Sequence, residues 1–99
     1  MRLLVVEDEV ALCQSIAEGL RLDGYEVDTC GDGQEALELA ERLHPDVVMT
    51  DIKMPFMDGL TLGRALKKRL KNIKVIIFSG FDEFEYAKEA IKLEAEEYL

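Results

Sequence analysis

Short runs of apolar residues alternate along this chain with longer amphipathic segments. Residues 3–6, 47–50 and 75–78 are nearly continuous apolar runs, which are typical of parallel strands covered by helices on both faces. Residues 25–29 instead alternate apolar and polar side chains, and this pattern predicts an edge strand with one solvated face. The chain is therefore expected to contain four strands, and residues 97–99 are expected to begin a fifth.

Between these strands, apolar residues recur every three to four positions, which is the period of an amphipathic helix. The apolar positions of the four predicted helices are Val10, Cys13, Ile16, Ala17 and Leu20; Ala36, Leu37, Ala40 and Leu43; Leu62, Leu66 and Leu70; and Phe84, Ala87 and Ile91. Asp32 with Glu35, and Asp82 with Glu85, have the spacing of a capping box, which predicts where the second and fourth helices begin. Strands that alternate with helices across short loops predict an α/β fold with a doubly wound parallel sheet.

Composition narrows the range of functions. Ninety-nine residues suffice for one domain with its own core. The 21 acidic side chains outnumber the 12 basic ones and leave a net charge of −9, which argues against a nucleic-acid or anionic-membrane surface in this chain. No apolar stretch has transmembrane length, and Met1 leads directly into a strand rather than a signal peptide. Cys13 and Cys30 fit no metal spacing, so we expect reduced thiols in a cytosolic protein, with a disulfide or a redox role as the alternatives.

Acidic residues follow two of the apolar runs. Glu7 and Asp8 come directly after the first predicted strand, and Asp51 comes directly after the third. Open α/β sheets place their chemistry beyond the carboxyl ends of the strands, so the three carboxylates converge if these strands are neighbours. Such a cluster must hold protons or bind a cation, and its oxygen ligands suit Mg²⁺. Ser79 would add a hydroxyl at the same edge.

Each of these residues also has an ordinary structural interpretation. Glu7 and Asp8 suit the first turn of a helix, Asp51 suits a loop or a cap, and Ser79 with Gly80 suits a turn. The functional interpretation is favoured because three separate strand ends would deliver polar groups to one edge of the sheet.

The segments at these strand ends resemble the receiver domain of bacterial two-component response regulators. The resemblance rests on residues 5–9, 51–59 and 77–80, and it covers the whole chain in the family's order and spacing. It implies a flavodoxin-like sheet with the strand order 2-1-3-4-5, here truncated in the fifth strand. Residues 80–93 are in addition similar to receivers that precede an AraC-type DNA-binding output domain.

The resemblance implies a phosphorylatable signalling switch that catalyses its own phosphorylation and dephosphorylation rather than an enzyme. Asp51 would accept the phosphoryl group from a sensor histidine kinase. Glu7, Asp8 and Asp51 would bind Mg²⁺ together with the backbone carbonyl of Lys53. Ser79 would donate a hydrogen bond to the phosphoryl group.

Further implications concern the switch and the partners. Tyr98 matches the family's aromatic switch residue, which packs inward when the strand-end hydroxyl moves. The resemblance implies a cytoplasmic protein with a C-terminal output domain, which this chain would control through the surface around its fourth helix, and it allows a homodimer. No nucleic acid or membrane binding is expected of the chain itself.

The chain departs from the family pattern at its end. The family's site includes a lysine, followed by proline, just beyond the start of the fifth strand, and Leu99 precedes that position. We therefore expect residues 1–99 to be a receiver domain that lacks the end of the fifth strand and the fifth helix, in a fragment of a longer protein rather than a naturally short receiver. The missing lysine leaves an alternative open, namely a receiver-like module that takes no phosphoryl group and acts by binding or dimerisation.

Two enzyme classes fit less well. A topoisomerase–primase type of metal site needs two acids separated by one residue, and this chain has Lys53 where the second acid would stand. A haloacid-dehalogenase-like phosphatase needs the same pair after its first strand, where Glu7, Asp8 and Glu9 do not supply it.

Overall fold

Four strands and four helices alternate along the chain, as the apolar pattern predicts. The structure is a computed structural model that describes residues 1–79 and 83–98, without the side chains of residues 85 and 94–98. The elements are β1 (Arg2–Val6), α1 (Val10–Leu22), β2 (Glu26–Cys30), α2 (Gly33–Leu43), β3 (Val47–Asp51), α3 (Gly59–Arg69), β4 (Lys74–Phe78) and α4 (Phe84–Tyr98).

The described strands form one parallel sheet in the order β2-β1-β3-β4. This order confirms the predicted doubly wound fold for these four strands, and β2 lies at an edge as its alternating pattern predicts. Val6 of β1 lies opposite Thr50 of β3, and Asp51 lies opposite Phe78 of β4. The register therefore brings the ends of β1, β3 and β4 to the same edge of the sheet.

Successive side chains of each strand point to opposite faces, and the core accordingly divides into two layers. Leu3 and Val5 pack with the buried residues of α1 and α4 on one face. Leu4 and Val6 pack with those of α2 and α3 on the other. A sheet covered by helices on both faces can hold continuous apolar strands, because neither face of the sheet meets water.

The helix caps and the apolar helix positions agree with the sequence-based expectations in most places. The Asp32 carboxylate accepts the Glu35 amide at 2.8 Å, so the predicted cap of α2 is present. Val10 is an exception to the first helical stripe, since it is 68% exposed at the first residue of α1. The predicted capping pair of Asp82 and Glu85 lies outside the described residues and side chains.

The expected start of a fifth strand is replaced by helix, because α4 continues through Tyr98. Residues 94–97 are three glutamates and an alanine, which are good helix formers, and this local preference explains the difference. Leu99 lies outside the described residues. No helix in the described part of the chain combines the length and the apolar character that crossing a membrane would require.

Both cysteines are buried as free thiols. Burial raises the pKa of the Cys13 thiol, and it raises that of the Cys30 thiol to about 12. The structure therefore agrees with the expectation of two reduced thiols, and a thiol that stays protonated is also a poor nucleophile.

Candidate functional site

Three carboxylates meet at the carboxyl end of the sheet. β1 and β3 are adjacent, and one carboxylate oxygen each from Glu7, Asp8 and Asp51 lies within 4.8 Å of the other two. Glu7 is 3% exposed, Asp51 is half-buried and Asp8 is exposed. The cluster therefore has a buried floor and an open mouth, which is the shape that a cation-binding site accessible to a substrate requires.

Glu7 has the most unusual environment of the three. Its Oε2 accepts the Glu9 amide at 2.9 Å, while its Oε1 is buried without a hydrogen-bond partner among the described residues. Burial, with a smaller contribution from Asp8 and Asp51, raises the pKa of the Glu7 carboxyl to about 7. An unpaired buried carboxylate oxygen is costly, so the site suits either a proton or a cation at this position.

Asp51 is held at the end of β3 by backbone contacts on both sides. The amide of the next residue, Ile52, donates to the carbonyl of Phe78 at 2.9 Å. The Ile52 carbonyl accepts a hydrogen bond from the amide of Gly59 at 2.9 Å. A Cβ on Gly59 would overlap the carbonyl oxygen of Asp51, so only glycine lets α3 begin this close to the strand. This role of Gly59 was not among the expectations from the sequence, although its position directly after Asp58, a residue type suited to capping a helix, was a signal.

Two further loop residues complete the surroundings of Asp51. The Asp58 carboxylate caps α3 by accepting the Thr61 amide at 2.7 Å, and this contact lowers the pKa of Asp58. Lys53 is exposed, and its amide points at Asp51 Oδ1 over a long 3.4 Å. The loop thus places a cationic side chain two residues beyond Asp51.

The other residues expected at the site are less closely joined to it. Ser79 directly follows β4 and is exposed, and its amide donates to Glu83 Oε2 at 3.1 Å. Its position next to Phe78, which pairs with Asp51, puts it at the same sheet edge. The backbone of Tyr98 is the last residue of α4, but its side chain lies outside the described part of the chain.

Comparison with known proteins identifies the family. The family model described as the response regulator receiver domain matches residues 3–99. The chain belongs to this family. Among curated proteins, this receiver domain is 46% identical over 92 residues to the transcriptional regulatory protein PdtaR of Mycobacterium tuberculosis, covering 90% of the chain and 45% of PdtaR.

A second curated relative gives the same picture. The chain is 36% identical over 98 residues to the transcriptional regulatory protein PrrA of Mycobacterium leprae, covering 99% of the chain and 42% of PrrA. This receiver domain therefore spans less than half the length of the curated relatives that it matches, and these relatives carry further sequence.

Solved structures agree with the family assignment. The response regulator TrrA of Thermotoga maritima in complex with Mg²⁺-BeF has a TM-score of 0.77 and 28% identity, over 93% of this chain and 97% of TrrA. A chain in the complex of histidine kinase ThkA with TrrA has a TM-score of 0.76 and 36% identity, over 81% of this chain and 69% of the matched chain. The two-component transcriptional regulator AraC of Clostridium phytofermentans has a TM-score of 0.73 and 30% identity, over 87% of this chain and 72% of that protein's chain. The fold of this receiver domain is thus that of known response regulators.

Proposed function

We propose that this receiver domain accepts a phosphoryl group on Asp51 from a phosphohistidine of a sensor histidine kinase. A carboxylate oxygen of Asp51 forms the new P–O bond while the P–N bond to the donor breaks. The observation that carries this proposal is the carboxylate cluster with Asp51 at its open mouth and the unpaired Oε1 of Glu7 at its floor. The complex of ThkA with TrrA, a protein of the same fold, supports a kinase as the donor.

We propose that Glu7, Asp8 and Asp51 hold Mg²⁺ together with the backbone carbonyl of Lys53. The donor set fits, because it consists of hard oxygen ligands and leaves one buried oxygen that lacks a partner in the described chain. When bound, Mg²⁺ neutralises the charge that otherwise repels an anionic phosphoryl group from these carboxylates. The Mg²⁺-BeF complex of TrrA supports the choice of this ion.

The remaining roles complete a switch. Ser79 turns towards the phosphoryl group and donates its hydroxyl to a phosphoryl oxygen. Tyr98 then packs inward and changes the surface around α4. The Ser79 amide is bound to Glu83, one residue before α4, so a movement of Ser79 reaches this helix directly. The new charge on Asp51 would thereby bias a local two-state element, and the domain acts as a signalling switch.

The proposal extends to the longer protein. We propose that residues 1–99 form most of a receiver domain in a cytoplasmic response regulator. The curated relatives are transcriptional regulatory proteins, which supports a C-terminal output domain. Similarity to a regulator named AraC supports the AraC type. A binding module that takes no phosphoryl group is not favoured, because the acidic cluster is intact.

Intact mass after incubation with Mg²⁺ and phosphoramidate tests the phosphoryl chemistry. We expect one phosphoryl increment on the wild-type protein and none on Asp51→Asn or without Mg²⁺. Asp58→Asn is the matched control, since Asn also serves as a helix cap and Asp58 is an exposed carboxylate in the same loop. An increment that persists in Asp51→Asn would contradict the assignment of the phosphoacceptor.

A further inference from the structure

Phe56 combines an exposed aromatic side chain with a strained backbone conformation. Its side chain is fully exposed, with a relative accessibility of 107%. Its φ is +69°, in the left-handed region that a bulky residue rarely adopts. The Met57 amide donates to the Pro55 carbonyl at 2.7 Å and closes a three-residue γ-turn around it. Neither the exposure nor the backbone strain contributes to the stability of this fold, and such strain is typical of functional positions.

A groove of about 530 Å³ lies beside this side chain. Its lining residues include Asp8, Asp32, Gly33, Pro55, Phe56 and Met57. Met57 packs so tightly on Gly33 that a Cβ there would lie 2.6 Å from the Met57 sulfur. The groove therefore has a mainly apolar wall held in place by close packing, together with two carboxylates.

We propose that Phe56 and this groove are the docking surface for the protein that donates the phosphoryl group. The inference rests on the proposed function of Asp51. Asp8 belongs both to the groove and to the carboxylate cluster, so a partner seated in the groove lies next to Asp51. An exposed aromatic residue beside an apolar groove is the kind of anchor that dominates protein interfaces.

The charge of the groove specifies the chemistry of the partner. The carboxylate of Asp32, which the proposed Mg²⁺ site does not use, lines it, and a second copy of this chain would bring the same acidic group against it. A donor with an apolar pocket for the Phe56 ring and basic side chains around it would instead be complementary. A small donor such as phosphoramidate needs no such anchor.

The test compares a protein donor with a small donor on the same variants. The protein donors are a panel of autophosphorylated histidine kinases that includes ThkA, and the small donor is phosphoramidate with Mg²⁺. Phe56→Ala removes the ring, and Phe56→Gly also removes the backbone strain, so at least one of the two variants is expected to fold. Leu22→Ala is the matched control, because Leu22 is 88% exposed at the opposite end of α1 from the site.

For the kinase that transfers fastest to the wild type, we expect kcat/KM to fall about tenfold or more in both Phe56 variants, as for an anchoring aromatic residue. Phosphoramidate uptake should change less than about twofold, and Leu22→Ala should leave both rates unchanged. Equal losses with both donors would show that Phe56 positions Asp51, and this result would overturn the docking proposal. The absence of any loss with either donor would overturn it as well. A wild-type protein that accepts from phosphoramidate but from no kinase also contradicts docking, whereas failure with phosphoramidate itself contradicts the proposed function.

Discussion

Glu7 shows how a single side chain prepares the site. Its carboxyl group is 3% exposed, with Oε2 bound to an amide and Oε1 without a partner in the described structure. A charged carboxylate in this position is destabilised by burial and by its acidic neighbours, which is why its pKa rises to about 7. At neutral pH the metal-free site is therefore divided between a form with a proton on Glu7 and a form without one.

This division predicts the pH dependence of Mg²⁺ binding. Below about pH 7 Glu7 holds a proton in the metal-free state, and Mg²⁺ must displace it. The affinity should therefore fall about tenfold for each pH unit below that pKa and level off above it. Isothermal titration calorimetry from about pH 5.5 to 8.5 measures this, and buffers of different ionisation enthalpy count the released proton. Glu7→Gln should weaken binding and remove this dependence, so a slope that is unchanged in Glu7→Gln would assign it to another group.

The strain at Phe56 makes a prediction about stability at the same scale. Phe56→Gly should raise the free energy of unfolding by about 1 kcal/mol, because glycine adopts positive φ without a steric penalty and the exposed ring contributes no burial. Phe56→Ala keeps the Cβ and the strain, and it should leave stability nearly unchanged. Urea denaturation of the three proteins measures both effects, and a lower stability of the glycine variant would show that Phe56 is not strained.

At the scale of the elements, the junction of β3 and α3 is the contact that sets the position of Asp51. Gly59 begins α3 against the backbone of Asp51 and Ile52, and its amide closes the intervening loop on Ile52. A short loop held at both ends keeps Asp51, the proposed phosphoacceptor, fixed relative to the carboxylates that follow β1.

Two glycine substitutions separate this junction from ordinary helix propensity. Gly59→Ala should destabilise the protein by about 2 kcal/mol, because the new methyl group overlaps backbone that cannot move away. Gly19→Ala should stabilise it by about 0.5–1 kcal/mol, since Gly19 lies inside α1 with nothing within 4 Å of a Cβ. Urea denaturation measures both changes. Equal effects of the two substitutions would contradict a special role for the junction.

How much of this was visible in the sequence depends on how local each feature is. The strand runs and the convergence of Glu7, Asp8 and Asp51 were predictable, because parallel strands carry a simple apolar signature and end at a common edge. The positive φ of Phe56 was not predictable, since it depends on loop closure by Gly59 and on the packing of Met57 against a distant glycine. The strand start expected at residues 97–99 was wrong for Glu97 and Tyr98, which belong to α4, because the preceding residues have a strong local preference for helix.

At the scale of the whole molecule, the two edges of the sheet differ. β2 has the alternating pattern of an edge strand, whereas β4 is an apolar strand whose only neighbour among the described strands is β3. A groove of about 340 Å³ runs between β4 and α4, with Ile76, Ile77 and Tyr86 among its lining residues. Tyr86 is 79% exposed there. Open apolar edges favour pairing with another chain. This surface shares no lining residue with the groove beside Phe56.

These features predict that the 99-residue chain forms a homodimer through the β4–α4 surface. Sedimentation velocity between about 10 and 500 µM should show a rise in weight-average mass with protein concentration, because the equilibrium between monomer and dimer shifts towards the dimer as concentration increases. Tyr86→Glu should suppress the rise by placing a charge in the contact, and Leu22→Glu, at another exposed apolar residue, should not. A wild-type protein that stays monomeric at the highest concentration would refute this dimer. Loss of the dimer in Phe56→Ala would instead place the self-contact on the groove assigned to the phosphodonor, so the same experiment also tests whether the two surfaces are separate.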